Sequence, residues 1–125
     1  MPLRKNKIIA FIPTTNAIRA RRFYESKLGL RFVSDDGFAL VFDANGTMLR
    51  VVKVGEYTPF PFTLIGWKVE GIEAVARKLA KKRVKFERFQ GMKQNRLGIW
   101  TSPDGSRVAW FKDPDGNLLS VSEHA

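Results

Sequence analysis

The chain has 125 residues, is 44% hydrophobic and 27% charged, and carries no cysteine. That length and composition fit one ordinary folded domain and exclude disorder, a fibrous repeat, disulfides, thiol nucleophiles and Cys-based zinc sites. Lys+Arg is 22 against 12 Asp+Glu, a formal charge of +10 that suits an acidic partner: nucleic acid, an anionic membrane surface or an anionic small ligand.

The basic segment Met1 to Lys7 leads into an apolar run broken at Pro13, so no signal-peptide core is expected and a cytoplasmic location is the default. No apolar run approaches the ~20 residues needed to cross a bilayer, and no membrane partner is expected. Residues 8–13 read as a strand. Thr14, Thr15 and Asn16 then offer a helix N-cap. Ala17, Ala20, Tyr24 and Leu28, spaced three, four and four apart, form one buried stripe. Gly29 stops that helix. Strands follow near 30–34, 37–43 and 47–54, with Asp35-Asp36-Gly37 as a turn.

Gly55 to Pro61 reads as a linker stiffened by Pro59 and Pro61. Beyond it come a strand near 62–69, a helix from about Ile72 to Lys82 with Ile72, Val75, Ala76 and Leu79 on its apolar face, and strands near 84–89, 106–112 and 117–123. Leu97-Gly98-Ile99-Trp100 fits either a loop or one more short strand.

The two halves repeat. Shifting Ala39–Val51 by 70 positions gives Ala109–Val121, with Ala39/Ala109, Asp43/Asp113, Gly46/Gly116, Leu49/Leu119 and Val51/Val121 identical. Both copies read strand, tight turn, strand. Asp113-Pro114-Asp115-Gly116 is hairpin turn chemistry. The fold class is therefore α+β, with two β-α-β-β-β modules in one domain: module one about 1–54, linker 55–61, module two 62–125.

Ala20-Arg21-Arg22-Phe23-Tyr24-Glu25-Ser26-Lys27-Leu28-Gly29-Leu30 resembles the first-helix signature of the vicinal oxygen chelate superfamily, which includes glyoxalase I, extradiol dioxygenases and bleomycin-resistance proteins. Phe111-Lys112-Asp113-Pro114-Asp115-Gly116-Asn117 is similar to its final hairpin. The resemblance implies mixed sheets that curl round a cleft, usually in a homodimer. It also implies lyase- or dioxygenase-like chemistry and four His or Glu metal ligands. Those four positions fall here on Ile9, Arg50, Leu64 and Ser120. None is a usual ligand, and Arg50 would repel a divalent cation. The expectation is that the chain keeps the framework without the chelate site, with no metal and no other cofactor. The single histidine, His124, is next to the chain end and allows no Ser-His-Asp arrangement.

Strand alternation puts Phe11 beside Ile9, Met48 and Val52 beside Arg50, and Leu118 beside Ser120 on the cleft side; Gly66 is in phase with Leu64, and Ser122 with Ser120. Apolar walls with a few polar groups suit a small ligand. Arg50 is the expected anchor for an anionic end, or else it pairs with a neighbouring acid. Trp100 could lie over the ligand or pack on a strand. Trp67 and Trp110 are expected out of phase with the cleft, in the core. The expected ligand-binding set is Arg50, Phe11, Met48, Val52, Leu64, Leu118, Ser120 and Trp100, with no catalytic residue singled out. Whether the chain is an enzyme or a sequestering protein stays open. The alternatives are a metal-dependent lyase or dioxygenase of the same superfamily and a basic nucleic-acid-binding protein. The cations Arg77, Lys78, Lys81, Lys82, Arg83, Lys85 and Arg88 form the densest basic stretch, with no aromatic interleaving for base stacking, and nucleic acid is disfavoured as a partner.

Overall fold

A computed structural model describes residues 2–125. Contacts divide the chain into two compact units that meet at Thr58 and Pro59, inside the expected linker. Each builds a four-stranded mixed sheet with a helix on one face. The fold is α+β, as the sequence indicates.

In the first unit, β1 (Ile9–Thr14), β2 (Arg31–Asp35), β3 (Ala39–Ala44) and β4 (Thr47–Lys53) lie in the order β1-β4-β3-β2. The β1–β4 pair is parallel and the other two pairs are antiparallel. Leu40, Phe42, Leu49, Val51 and Ile12 are buried on one face by the helix. That helix, α1, covers Ala17–Arg21 and is capped by the Asn16 side chain, which accepts from the Arg19 N–H. It does not continue as α-helix to Leu28. Residues 22–27 form a π-helical turn, with the Leu28 N–H donating to the Phe23 carbonyl. The wider turn lets two adjacent rings reach inward: Phe23 and Tyr24 are both buried, at right angles to each other, and Tyr24 leans on Phe42. Phe23 thus joins Ala20 and Tyr24 in the core, while Ala17 and Leu28 are only half-buried.

In the second unit, β5 (Thr63–Lys68), β6 (Trp100–Thr101), β7 (Arg107–Lys112) and β8 (Leu118–Glu123) lie in the order β5-β8-β7-β6. Helix α2 (Ile72–Lys81) buries Ile72 and Ala76 on the face that carries Phe111, Leu119 and Val121. Its N-cap, Gly71, is left-handed and has no side chain to offer. Glu123, from the end of β8, replaces the missing cap. Its carboxylate accepts from the N–H groups of Gly71 at 3.0 Å and Ile72 at 3.4 Å. Arg107 then ties Glu123 to Glu73.

The expected strand near 84–89 is not one. Its alternating pattern yields a single bridge, Phe86 to Phe111. Gln94 takes the backbone groups a ladder would need: its amide accepts from Phe89 N–H and donates to the carbonyls of Glu87 and Gly98. The edge strand is instead Trp100–Thr101, from the segment that the sequence left as loop or strand.

The two hairpins also differ, despite their shared residues. In the first, Ala44 pairs with Thr47 across a two-residue turn, Asn45-Gly46, both at positive φ. In the second, Pro114 stands where Ala44 does. Its ring fixes a negative φ and it has no N–H, so it leaves the ladder. The chain closes through three residues instead, with the Asp113 N–H bonded to the Asn117 carbonyl and Gly116 left-handed. The register of β7 on β8 therefore slips by one residue relative to the repeat. Arg50 faces Val41, but Ser120 faces Trp110 rather than Phe111. A slip of one exchanges the two faces of a strand. This overturns the expectation for Trp110: it lies on the face away from α2, in phase with Ser120, while Phe111 and Ala109 fill the core. Trp67, opposite Val121, is on the helix side but only half-buried.

Candidate functional site

On the first sheet, the face turned away from α1 collects the expected residues. Ile9 is opposite Met48, and Phe11 is opposite Arg50, which is opposite Val41; Val52 lies two residues further along β4. Ile9 and Phe11, on the edge strand β1, and Met48, beside them on β4, are 45%, 59% and 41% exposed, and together they form an open apolar surface. A depression of about 410 Å³ opens at the hairpin end of this face. Ile9, Val33, Val41 and Met48 give it apolar walls; Lys7, Arg31 and Asp43 supply charge. Lys7, Arg31 and Val33 were not among the expected site residues. Arg31 and Val33 are on β2, across β3 from the strands that carry the expected residues, with the register shift falling between Phe32 and Ser34.

Arg50 is not an isolated cation. Its guanidinium donates to Asp36 Oδ2 at 2.7 Å, and its side chain is 24% exposed. Asp36 also accepts from the N–H groups of Phe38 and Ala39, and Asp35 from Gly37 and Lys53. The Asp35-Asp36-Gly37 turn is thus built as expected, and it also holds two cations of β4. The Arg50 guanidinium, helped by the two backbone donors, lowers the Asp36 carboxyl to about 2. Lys53, with the Gly37 N–H, lowers Asp35.

On the second sheet, the face away from α2 carries Ser120, with Gly66 on one side and Trp110 on the other. Trp100 lies across from Val108 on the same face, with its ring centroid 6.1 Å from that of Trp110; Phe89 meets Trp110 edge-on. Leu118 and Ser120 are almost fully buried, at 8% and 9% exposure. Leu64 is half-buried inside a bulge between Thr63 and Ile65, so the expected phase is broken there and Gly66 is the residue directly opposite Ser120. A Cβ on Gly66 would stand 2.5 Å from Ser120 Oγ.

Among the described residues, no group of three or more His, Asp or Glu side chains converges on one point. The positions at issue hold Ile9, Arg50, Leu64 and Ser120. Two are hydrocarbons, one is a cation already bound to a carboxylate, and one is a neutral hydroxyl. This donor set does not fit a divalent metal, which needs imidazole or carboxylate ligands. No helix in the described residues is long and apolar enough to cross a membrane.

Two β-α-β-β-β units with sheets ordered 1-4-3-2 define the paired-module class of fold. A family model, the Glyoxalase/Bleomycin resistance protein/Dioxygenase superfamily, matches residues 8–121, and the chain belongs to that superfamily. Solved structures agree on the fold. A superfamily member from Sphaerobacter thermophilus DSM 20745 is 22% identical with a TM-score of 0.74, covering 94% of this chain and 96% of that one. A glyoxalase family protein from Enterococcus faecalis is 20% identical with a TM-score of 0.73, covering 98% and 100%. A structure titled lactoylglutathione lyase, from Agrobacterium tumefaciens, is 16% identical with a TM-score of 0.71, covering 94% and 93%. No curated protein matches the sequence.

Proposed function

We propose that the chain is a metal-independent, small-ligand-binding member of this superfamily, and that its ligand is apolar with an anionic end. The observation that carries this reading is the depression on the first sheet. Its apolar walls are exposed, and Lys7 and Arg31 stand beside them with one carboxylate, Asp43, to balance two cations. An apolar body would cover Ile9, Val33 and Met48, and its anionic end would meet the cations. Phe11 and Val52 extend the same apolar surface. Arg50, held by Asp36, presents a pre-oriented guanidinium edge further along it. On the second sheet, Trp100, Leu118, Ser120 and the bulged Leu64 are assigned to a separate ligand wall. The donor set at Ile9, Arg50, Leu64 and Ser120 supports metal independence and weighs against a metal-dependent lyase or dioxygenase.

Thermal unfolding with octanoate, octylamine and octanol at low salt tests the reading. Octanoate is expected to raise the midpoint, octylamine is not, and the effect should disappear in Lys7→Ala/Arg31→Ala. Equal stabilisation by octylamine, or none by octanoate, would sink the anionic assignment. Stoichiometric bound metal in the purified protein, by elemental analysis, would sink metal independence.

A further inference from the structure

The solvent face of α2 lies far from that depression in sequence and carries a different kind of surface. Arg77, Lys78, Lys81, Lys82, Arg83 and Lys85 are all exposed. None forms an ion pair among the described residues. The acids nearest in sequence are already engaged: Glu73 binds Arg107, and Glu87 lies 3.9 Å from Lys112. In the first unit Arg21, Arg31, Arg50 and Lys53 each have a carboxylate partner, whereas Lys7, Arg19, Arg22 and Lys27 have none among the described residues but do not form one continuous run. The sequence counts these charges but does not reveal that none of the six is compensated by a carboxylate among the described residues.

The fold does not account for the run. Cations help a helix only at its C-terminal end, which covers Lys78 and Lys81 in the last turn and Lys82 at the C-cap. Arg77 is earlier, and Arg83 and Lys85 lie beyond the helix. Arg77/Lys81 and Lys78/Lys82 are like-charge pairs four apart, an arrangement that destabilises a helix. Such a face becomes favourable when a polyanion covers it.

We infer that the exposed face of α2, continued through Arg83 and Lys85, docks on the phosphodiester backbone of a nucleic-acid duplex. Two observations select this partner. The apolar side of α2 is committed to its own unit, with Ile72 and Ala76 fully buried, so the helix has no apolar face to insert into a membrane. No aromatic side chain lies among the six cations, so contact is with phosphates rather than unstacked bases, and it is independent of sequence. This inference does not depend on the ligand proposed for the first sheet.

Fluorescence anisotropy with labelled 20-base-pair DNA and RNA duplexes, from low to moderate salt, tests it. Six phosphate contacts give a slope of log K against log salt of about −5 on duplex DNA. Lys81→Ala/Lys82→Ala should reduce that slope by about 2. Arg19→Ala/Arg22→Ala, on α1 and the π turn, should leave it unchanged. All four side chains are exposed, and circular dichroism confirms that the variants fold. The inference is overturned by any of three results: no binding to either duplex at micromolar protein in low salt, a slope indifferent to the α2 variant, or binding to phosphatidylserine vesicles but not to duplexes.

Discussion

Arg50 donates to Asp36 across 2.7 Å, from the middle of β4 to the turn between β2 and β3. The pair joins a residue that the sequence marks as a ligand anchor to one that it marks only as part of a turn. It sets the charge on the open face of the first sheet, because the Asp36 carboxylate offsets the Arg50 guanidinium.

The first prediction concerns that pair. Arg50→Met should raise the Asp36 carboxyl from about 2 toward the ordinary aspartate value of 3.8, stopping short because the Phe38 and Ala39 N–H groups still donate to it. A carboxylate depressed by folding contributes stability that is complete above the unfolded value and lost as pH falls through the folded one. The contribution of Asp36 therefore fades between about pH 4 and pH 2 in the native chain, and over a narrower, higher window in the variant. Carbon-detected NMR titration of the Asp36 carboxyl checks this. An unchanged titration in Arg50→Met would show that the backbone donors alone hold Asp36.

Glu123 supports the second prediction. Glu123→Gln keeps an acceptor for the Gly71 and Ile72 N–H groups but weakens Arg107, while Glu123→Ala loses both. The alanine variant should show faster amide exchange in the first turn of α2 and a lower urea midpoint at unchanged slope, with glutamine intermediate. Backbone donation from Gly71, then Arg107, lowers the Glu123 pKa. Its stabilising effect is therefore present above the ordinary glutamate value and declines as pH falls below it, so wild type should converge on Glu123→Gln in acid, where the protonated carboxyl, like the amide, still offers one acceptor, while Glu123→Ala stays lower. Equal protection of α2 in all three proteins at neutral pH would show that the cap is dispensable.

The fold class, both helices, seven of the eight strands and both hairpins are legible in this sequence because they rest on periodicity and turn chemistry. The register of β7 was not. Alignment of Asp43 with Asp113 and Gly46 with Gly116 implies two identical hairpins, and by that rule Trp110 falls with Leu40 in the core. One proline changes this, and its signal was present: a residue without an N–H cannot hold the ladder position of Ala44. Residues 84–89 misled in another way. They alternate like a strand, but the Gln94 side chain, five residues downstream of Phe89, takes the hydrogen bonds. At the candidate site, the face shared by Phe11, Met48, Arg50 and Val52 follows from alternation along two strands. Lys7, Arg31 and Val33 lie outside those two strands: one precedes β1, and the other two are on β2, whose pairing with β3 is irregular at Val33.

The third prediction tests what holds the slipped register. Pro114→Ala permits a two-residue turn like Asn45-Gly46. Even so, the register should persist, because restoring the repeat would turn Phe111 and Ala109 out of the core and bring Trp110 in. Exposing Phe111 alone costs about 2–3 kcal/mol, more than a turn preference returns. Nuclear Overhauser contacts between the Trp110 and Ser120 Hα protons should survive in Pro114→Ala. Phe111→Ala, which removes the core ring, should cost about 3–5 kcal/mol. Contacts between Phe111 and Ser120 in the proline variant would show that the turn, not the core, sets the register.

The last prediction concerns the close approach of β5 to β8. Gly66→Ala brings a methyl group to 2.5 Å from Ser120 Oγ and 3.1 Å from the Ser120 carbonyl oxygen. The hydroxyl can rotate away, but the carbonyl cannot, so the variant should lose roughly 1–3 kcal/mol, the usual range for overpacking. Removing the hydroxyl should relieve the tighter of the two contacts. Ser120→Ala alone is then expected to be mild, and Gly66→Ala/Ser120→Ala should recover most of the loss, giving a coupling energy that urea unfolding of the four proteins in a double-mutant cycle measures. Strict additivity would mean that the carbonyl contact dominates and that the glycine is required by the backbone alone. Strong coupling would mean that Gly66 is required chiefly to leave room for the Ser120 hydroxyl on the open face, beside Trp110.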